Sequence, residues 1–480
     1  MARQMIRKEV FLAAIKCSTQ GWYVMQDRGG VPTHGERLRM DEGKEVHDRA
    51  RSLHPNGVYA GSVEKTKTLV ADPRQEVIFE AEFQINGYVA RADWIRRVEG
   101  GWVIGEVKSS LISDESPKAE HIDDLAYTCM VLRRSGLAVQ SCELVLMNRD
   151  WRIGQPDSEL FVVLDLTESV FDRAQGFDQS CDKLRLSLLD DGIPPPHMCY
   201  ACRKCEFFRS DCVGAGIKDS IFYLPNLREG KFHQLNSQGI VSIHEVPKSS
   251  ELTDYQSAVV RAIQTGKPVI DREAIQACMH RLRWPVGYLD FETIKAAIPL
   301  YPRVAPHEQV VTQYSLHIQE GLESDLEHTD YLADHRMDCR EQLAMQLLAD
   351  TKSCESVITY SSFEKTTIRG LAKLYPEHSN ELHMLEDKLI DLLPVVRNGV
   401  VHPDFMGRSS IKAVLPVLVP EMSYKGLEVA DGDTAIAAFV SLALGKVQPD
   451  RVQDIRDSLL EYCKLDTLAM VRVLEALRQY

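Results

Sequence analysis

Residues 77–108 read VIFEAEFQINGYVARADWIRRVEGGWVIGEVK, and the first half of the chain is built around them. Val77, Phe79, Ala81, Phe83 and Ile85 alternate with other residues, the two-residue period of a strand. A second strand is predicted over about 88–98, a turn at Glu99-Gly100-Gly101, and a third strand over 102–108. Asp93 falls on the second strand and Glu106-Val107-Lys108 on the third. Residues two apart on a strand share a face, so Glu106 and Lys108 point the same way while Val107 points into the core. A carboxylate from each of two paired strands can hold Mg²⁺ or Mn²⁺, which prefer hard oxygen ligands. A lysine beside them can orient an attacking water or stabilise charge on a pentacovalent phosphate. The same three residues also fit a surface ion pair on a hairpin. The apolar strands around them, with helices before and after, favour the site.

Residues 5–55 read as helical, and 43–53 (GKEVHDRARSL) has amphipathic spacing. A helix is expected over 119–134 and strands near 143–147 and 160–166, giving the order helix, three antiparallel strands, helix, strand. Residues 216–283 read as a connector with one or two helices and no evident chemistry. A new strand begins at 285, two strand-like stretches follow at 312–319 and 327–332, then a helix, a short strand over 356–360, and mostly helices. The expected fold class is mixed α/β in two domains, 1–215 and 284–480, joined by the helical connector.

The 480 residues suit two to four domains. Hydrophobic residues make up 44% and charged residues 26%, ordinary for a soluble protein. No apolar run approaches a membrane span, and the basic start Met1 to Lys8 lacks the apolar core of a signal peptide, so no membrane partner and a cytoplasmic location are expected. The net charge of -14 argues against nucleic-acid binding by bulk charge and is compatible with clustered metal-binding carboxylates.

Of 12 cysteines, Cys199, Cys202, Cys205 and Cys212 crowd together just after Pro194-Pro195-Pro196. Four thiols this close signal a metal, either zinc or iron–sulfur, and spacing alone does not separate the two.

A second constellation lies downstream. In Leu289-Asp290-Phe291-Glu292-Thr293, Asp290 and Glu292 share a strand face. Ser361-Ser362-Phe363-Glu364 runs from a strand end into a helix. Tyr462 and Asp466 are one turn apart on a strongly helical stretch. Four carboxylates from three elements could hold two Mg²⁺ ions roughly 4 Å apart, one activating water and one stabilising the leaving 3′ oxygen. Tyr462 can position the water.

Arg91-Ala92-Asp93-Trp94 with Gly105-Glu106-Val107-Lys108-Ser109-Ser110 resembles the PD-(D/E)XK nucleases of the RecB type, including the iron–sulfur nucleases of CRISPR adaptation. That resemblance implies His47, in Gly43-Lys44-Glu45-Val46-His47, as a third metal ligand beside Asp93 and Glu106. It aligns His121 to Thr128 with a DNA-contacting helix motif, in which Tyr127 fits and Thr128 departs from the usual glutamine. It also implies a [4Fe-4S] cluster, with zinc as the alternative, held by Cys17, Cys199, Cys205 and Cys212; Cys202 in place of Cys199 is an alternative ligand. The cluster would clasp the N-terminal helix to the end of the domain.

Asp290, Glu292, Glu364 and Asp466, with Tyr462, resemble the tyrosine subtype of the DEDD exonucleases on the ribonuclease H-like fold. Glu364 stands where that family carries aspartate. Asp391 and the run Gly407 to Pro416 resemble a bacterial family of uncharacterised function that fuses such a domain to a RecB-like one. There Lys412 and Arg408 are candidates for phosphate contact and Asp391 for metal or substrate. The resemblance implies phosphodiester hydrolysis with Mg²⁺ or Mn²⁺ at both sites, nucleic acid as partner, DNA favoured over RNA, single strands or free ends as substrate, and 3′ to 5′ action by the second domain. It further implies a role in DNA repair or defence against foreign DNA. Rival expectations are a nucleic-acid-binding scaffold without catalysis and a zinc-stabilised RNA-processing nuclease.

Overall fold

The computed structural model describes residues 5–28, 30–112, 117–189, 192–424, 426–429 and 431–480. Residues 1–4 of the basic N-terminal run lie outside these. The chain folds into two compact units, Met1–Ala215 with Ala296–Glu308, and Gly216–Lys295 with Gln309–Tyr480. Both are mixed α/β.

The first unit runs α1 (Lys8–Lys16), α2 (Ser18–Met25), α3 (His34–Ala50), β1 (Val58–Tyr59), α4 (Val63–Ala71), β2 (Val77–Ile85), β3 (Tyr88–Val98), β4 (Gly101–Leu111), α5 (Ala119–Arg134), β5 (Val139–Met147), β6 (Phe161–Asp165) and α6 (Thr167–Leu189). Its six strands lie in sequence order in one sheet. β2, β3 and β4 are antiparallel neighbours, and β5 joins β4 in parallel through the α5 crossover. α3 starts on a capping box, Thr33 accepting from the Glu36 backbone N–H while Glu36 reaches back to the Thr33 N–H. Gly105 is required by close packing. A Cβ there would stand 2.0 Å from the Trp94 ring, which lies buried against β4 one residue before Glu106. One core gathers Ile6, Phe11, Tyr88, Tyr127 and Phe177; another joins Val46, Ala50, Trp94 and Val107 to Ala297 and Ile298 of the 296–308 segment.

The second unit contains α7 (Glu229–Asn236), α8 (Asp254–Thr265), β7 (Val269–Ile270), α9 (Arg272–Met279), β8 (Val286–Ile294), β9 (Val310–Gln319), β10 (Leu326–Leu332), α10 (Arg340–Asp350), β11 (Ser356–Thr359), α11 (Phe363–Leu374), α12 (Ser379–Asp387), β12 (Leu389–Asp391), α13 (Leu393–Gly399), β13 (Val400–Val401), α14 (Ile411–Leu418), α15 (Gly432–Ala443) and α16 (Val452–Leu477). Five strands form a sheet in the order β10-β9-β8-β11-β12. β8 is central, antiparallel to β9 and parallel to β11.

The stretch expected as a connector carries α7, α8, β7 and α9 and belongs to the second unit. Its helices bury Phe232, Leu235, Val259 and Ile263. Gly407, at φ +71°, comes so close to it that a Cβ would stand 1.7 Å from the Tyr223 carbonyl oxygen. No described helix is long and apolar enough to cross a membrane.

Candidate metal centres

In the first unit the β3–β4 pairing brings Asp93 and Glu106 together. Asp93 Oδ2 accepts from the Val107 backbone N–H at 2.6 Å. Ligand atoms of His47, Glu80 and Asp93 all lie within 4.8 Å of one another, with His47 Nδ1 3.5 Å from Asp93 Oδ1. Glu106 is 2% exposed and its Oε2 makes no hydrogen bond, while Oε1 accepts from Lys8 Nζ at 2.6 Å and from Lys108 Nζ at 2.9 Å. Lys108 also contacts Asp124 on α5. These contacts split the acids. Burial works against ionisation of Glu106, yet Lys8 and Lys108 hold it down to about 2. Burial and the adjacent Glu106 push Asp93 well above the usual carboxylate range. Burial lowers His47, keeping the imidazole neutral and able to ligate. A buried carboxylate oxygen without a partner beside three converging ligand groups is a fit for a small hard cation.

Three residues here escape sequence reasoning. Glu80 lies opposite Asp93 across the β2–β3 ladder, at φ +51°. Lys8 comes from α1 and Asp124 from α5. Tyr127, the candidate substrate residue of α5, lies in the core. It is fully buried, and its hydroxyl donates to the backbone carbonyls of Ile6 and Val89 at 2.7 and 2.8 Å. Thr128 is buried as well, its Oγ1 donating to the Asp124 carbonyl.

In the second unit, ligand atoms of Asp290, Glu292 and Asp466 lie within 4.8 Å of one another. They share a cleft of about 560 Å³ with Glu364, Tyr462 and Lys412. β8 presents Asp290 and Glu292 on one face and sends Phe291 into the core, as alternation requires. Glu364 sits in the first turn of α11, where β11 ends, 3% exposed, its Oε2 accepting from the Ser361 hydroxyl at 3.4 Å. Asp466 Oδ1 accepts from the Tyr424 hydroxyl at 2.6 Å, and Lys412 Nζ donates to the Tyr462 hydroxyl at 2.8 Å. Burial, then the neighbouring acids, push three carboxyls of the group up: Asp290 well above its usual range, Glu292 to about 8, and Glu364 to about 7 with Asp391 contributing. Asp466 rises through burial, against the Tyr424 hydrogen bond. Two buried acids, Glu364 and Asp466, and two half-buried ones, Asp290 and Glu292, crowded this way are a fit for a hard cation. Asp391 ends β12, accepts from the Leu393 N–H at 2.9 Å, and acts on Glu364 rather than lining the cleft. Arg408 is exposed and is not among the cleft-lining residues.

The thiols also converge. Cys17 is the junction residue between α1 and α2, and its thiol meets that of Cys199. Cys199 Sγ is 3.6 Å from Cys202 Sγ, and Cys205 lies in the field of Cys17 and Cys212. Tyr23 stacks on Phe207 with ring centroids 4.9 Å apart. Five sulfurs on two segments distant in sequence suit a soft metal or an iron–sulfur group. The Cys202 thiol meets that of Cys199 and lies in the field of Cys17 and Cys205.

Residues 287–410 match the model of a family described as Domain of unknown function (DUF2779). That span holds Asp290, Glu292, Glu364 and Asp391 and ends before Lys412, Tyr462 and Asp466. The chain is similar to Uncharacterized protein MG366 homolog of Mycoplasma pneumoniae, 25% identical over 272 residues that cover 51% of this chain and 40% of the relative. It is also similar to Uncharacterized protein MG366 of Mycoplasma genitalium, 25% identical over 221 residues (40% of this chain, 32% of the relative). Uncharacterized protein UU173 of Ureaplasma parvum is 28% identical over 208 residues, 39% of this chain and 30% of the relative. The matches span no more than about two fifths of these relatives' lengths.

Proposed function

We propose that this chain is a metal-dependent nuclease with two carboxylate centres, a RecB-type PD-(D/E)XK site in the first unit and a ribonuclease H-like DEDD exonuclease site in the second. One observation carries the reading: Asp290 and Glu292 of β8 meet Asp466 of α16 with ligand atoms within 4.8 Å. Burying like charges together is costly without a counter-ion, so their convergence asks for a function. The place supports it. β8 pairs antiparallel on one side and parallel on the other, and ligands of α/β sheets gather beyond the ends of parallel strands where the strand order reverses.

Asp290, Glu292, Glu364 and Asp466 would hold Mg²⁺ or Mn²⁺ in the second unit, and His47, Glu80, Asp93 and Glu106 in the first. Such a cation, when bound, supplies charge neutralisation and Lewis acidity to the phosphodiester. Tyr462, held by Lys412, orients a water toward phosphorus. The water oxygen bonds to phosphorus and the P–O3′ bond breaks, leaving a 3′ hydroxyl on one product and a 5′ phosphate on the other. Lys108 presents a cation on the same face as Glu106, where developing phosphate charge would lie. The five-cysteine cage would hold a [4Fe-4S] cluster or zinc and fasten the α1–α2 junction to residues 199–212. DNA as the favoured substrate, and repair or defence as the setting, rest on the family resemblance.

The test is digestion of end-labelled single- and double-stranded DNA and RNA with Mg²⁺ or Mn²⁺ by the wild type, Lys108→Ala, Asp290→Ala and the double variant. Each single substitution should remove one product pattern and the double should remove both. A wild type that leaves every substrate intact with either cation refutes the reading.

A further inference from the structure

A second, larger opening of about 840 Å³ lies in the same unit as the DEDD-like cleft, between α8, α9, the β7–β13 ladder and α13. Arg261 of α8, Arg272 of α9 and Arg397 of α13 line it. Among the described residues none of these three guanidinium groups has a carboxylate partner. Three acids line it too, but each has a structural task at a helix start. Asp271 caps α9 by accepting from the Ala274 N–H at 3.0 Å, and Glu273 and Asp254 sit in the first turns of α9 and α8, where the helix dipole favours negative charge. Arg397 sits in the last turn of α13, where the dipole favours a cation, while Arg261 and Arg272 have no such helix-end role.

The wall between this groove and the acid cleft is thin. Tyr255 lines the groove, with Arg397 over its ring at 5.4 Å. Its hydroxyl meets the side chain of Ser409, which lines the acid cleft. The Ser409 carbonyl accepts from the hydroxyl of Tyr360, another cleft residue, at 2.9 Å.

We propose that this groove is a track for the phosphodiester backbone of a single nucleic-acid strand leading to the acid cleft, with Arg261, Arg272 and Arg397 on successive phosphates and the Tyr255–Arg397 pair offering a stacking surface to a base. Three cations on three separate elements suit several phosphates in a row better than one small anion, and an aromatic ring under a guanidinium is a sequence-tolerant platform for bases. The inference rests on the nuclease reading of the cleft and names how its substrate is held.

Binding measured apart from cutting tests it. The full chain carrying Asp290→Asn, kept in EDTA, is titrated into a short fluorescent single strand over a series of salt concentrations. Adding Arg261→Ala, Arg272→Ala and Arg397→Ala should weaken binding at least about tenfold and lower the salt slope by about 2, at roughly 0.7 for each phosphate no longer neutralised. The corresponding Arg→Lys triple should keep most of the slope. The track is overturned if affinity and slope match the parent, if the parent binds no strand, or if inorganic phosphate or a mononucleotide competes as well as an unlabelled strand. Loss of binding in the alanine triple together with a wild type that cuts nothing would uphold the groove and refute the nuclease reading.

Discussion

Lys8 Nζ lies 2.6 Å from Oε1 of Glu106, the oxygen that Lys108 also reaches. An N-terminal helix therefore supplies a cation to a carboxylate on the fourth strand. Lys8→Ala should cost about 1–3 kcal/mol of metal-free stability, because a buried charge loses part of its compensation. Mn²⁺ should raise the melting temperature of the variant more than that of the wild type, since the external cation replaces the missing internal one. Equal shifts in a thermal melt would contradict this.

Asp290→Asn removes one of four crowded acids. Metal-free stability should rise by about 1 kcal/mol, as relief of a strained site does elsewhere, while cutting by the second unit is lost. Urea denaturation with and without Mn²⁺ checks both signs, because added cation should stabilise the wild type more than the variant.

Cys17 is the sole member of the thiol cage contributed by the α1–α2 junction. Cys17→Ser should lower the bound iron or zinc measured by metal analysis and make the N-terminal helices sensitive to limited proteolysis. Unchanged metal content would remove Cys17 from the ligand set. Iron with acid-labile sulfide, against zinc, decides the nature of the group.

Glu386, away from both centres, is held down to about 2, chiefly by its hydrogen bond from Arg369, with Lys365 and His383 adding. A folded-state value below the unfolded one means stability that is full above the unfolded value near 4.5 and fades as pH falls toward 2. Glu386→Gln should therefore lose about 1 kcal/mol at neutral pH, a modest figure because Arg369 and Lys365 are largely exposed. The difference between variant and wild type should shrink in acid, as denaturation at the two pH values will measure.

The hairpin over 77–98 and its partner strand are legible in the sequence because alternation is local and the turn into that partner strand carries Gly100 and Gly101. Asp93, Glu106 and Lys108 follow from the same arithmetic. Glu80 does not, since its left-handed backbone breaks the period that makes strand faces readable. Lys8 and Asp124 reach the centre from helices whose docking no local pattern encodes. On α5, a motif points to Tyr127, while the residue that reaches Lys108 is Asp124, three positions earlier. In the second unit Asp290, Glu292, Tyr462 and Asp466 carry their own spacing and are readable. β7, β12 and β13 are only two or three residues long, too short for any period. α8 does leave a signal, Thr253 and Gln256 as a capping box and Gly266 as the left-handed end, but these mark where a helix starts and stops and carry no hint of chemistry.

The segment Ala296–Glu308 joins β8 to β9, yet it is counted in the first unit, where Ala297 and Ile298 fill the core beneath α3 and the Ala297 N–H donates to Glu42 at 3.1 Å. Dissecting the gene at residue 215 would thus produce an N-terminal fragment missing a plug from its own interior. Such a fragment would expose Val46, Ala50 and Trp94 to solvent and should aggregate unless the excised peptide is spliced back or added separately.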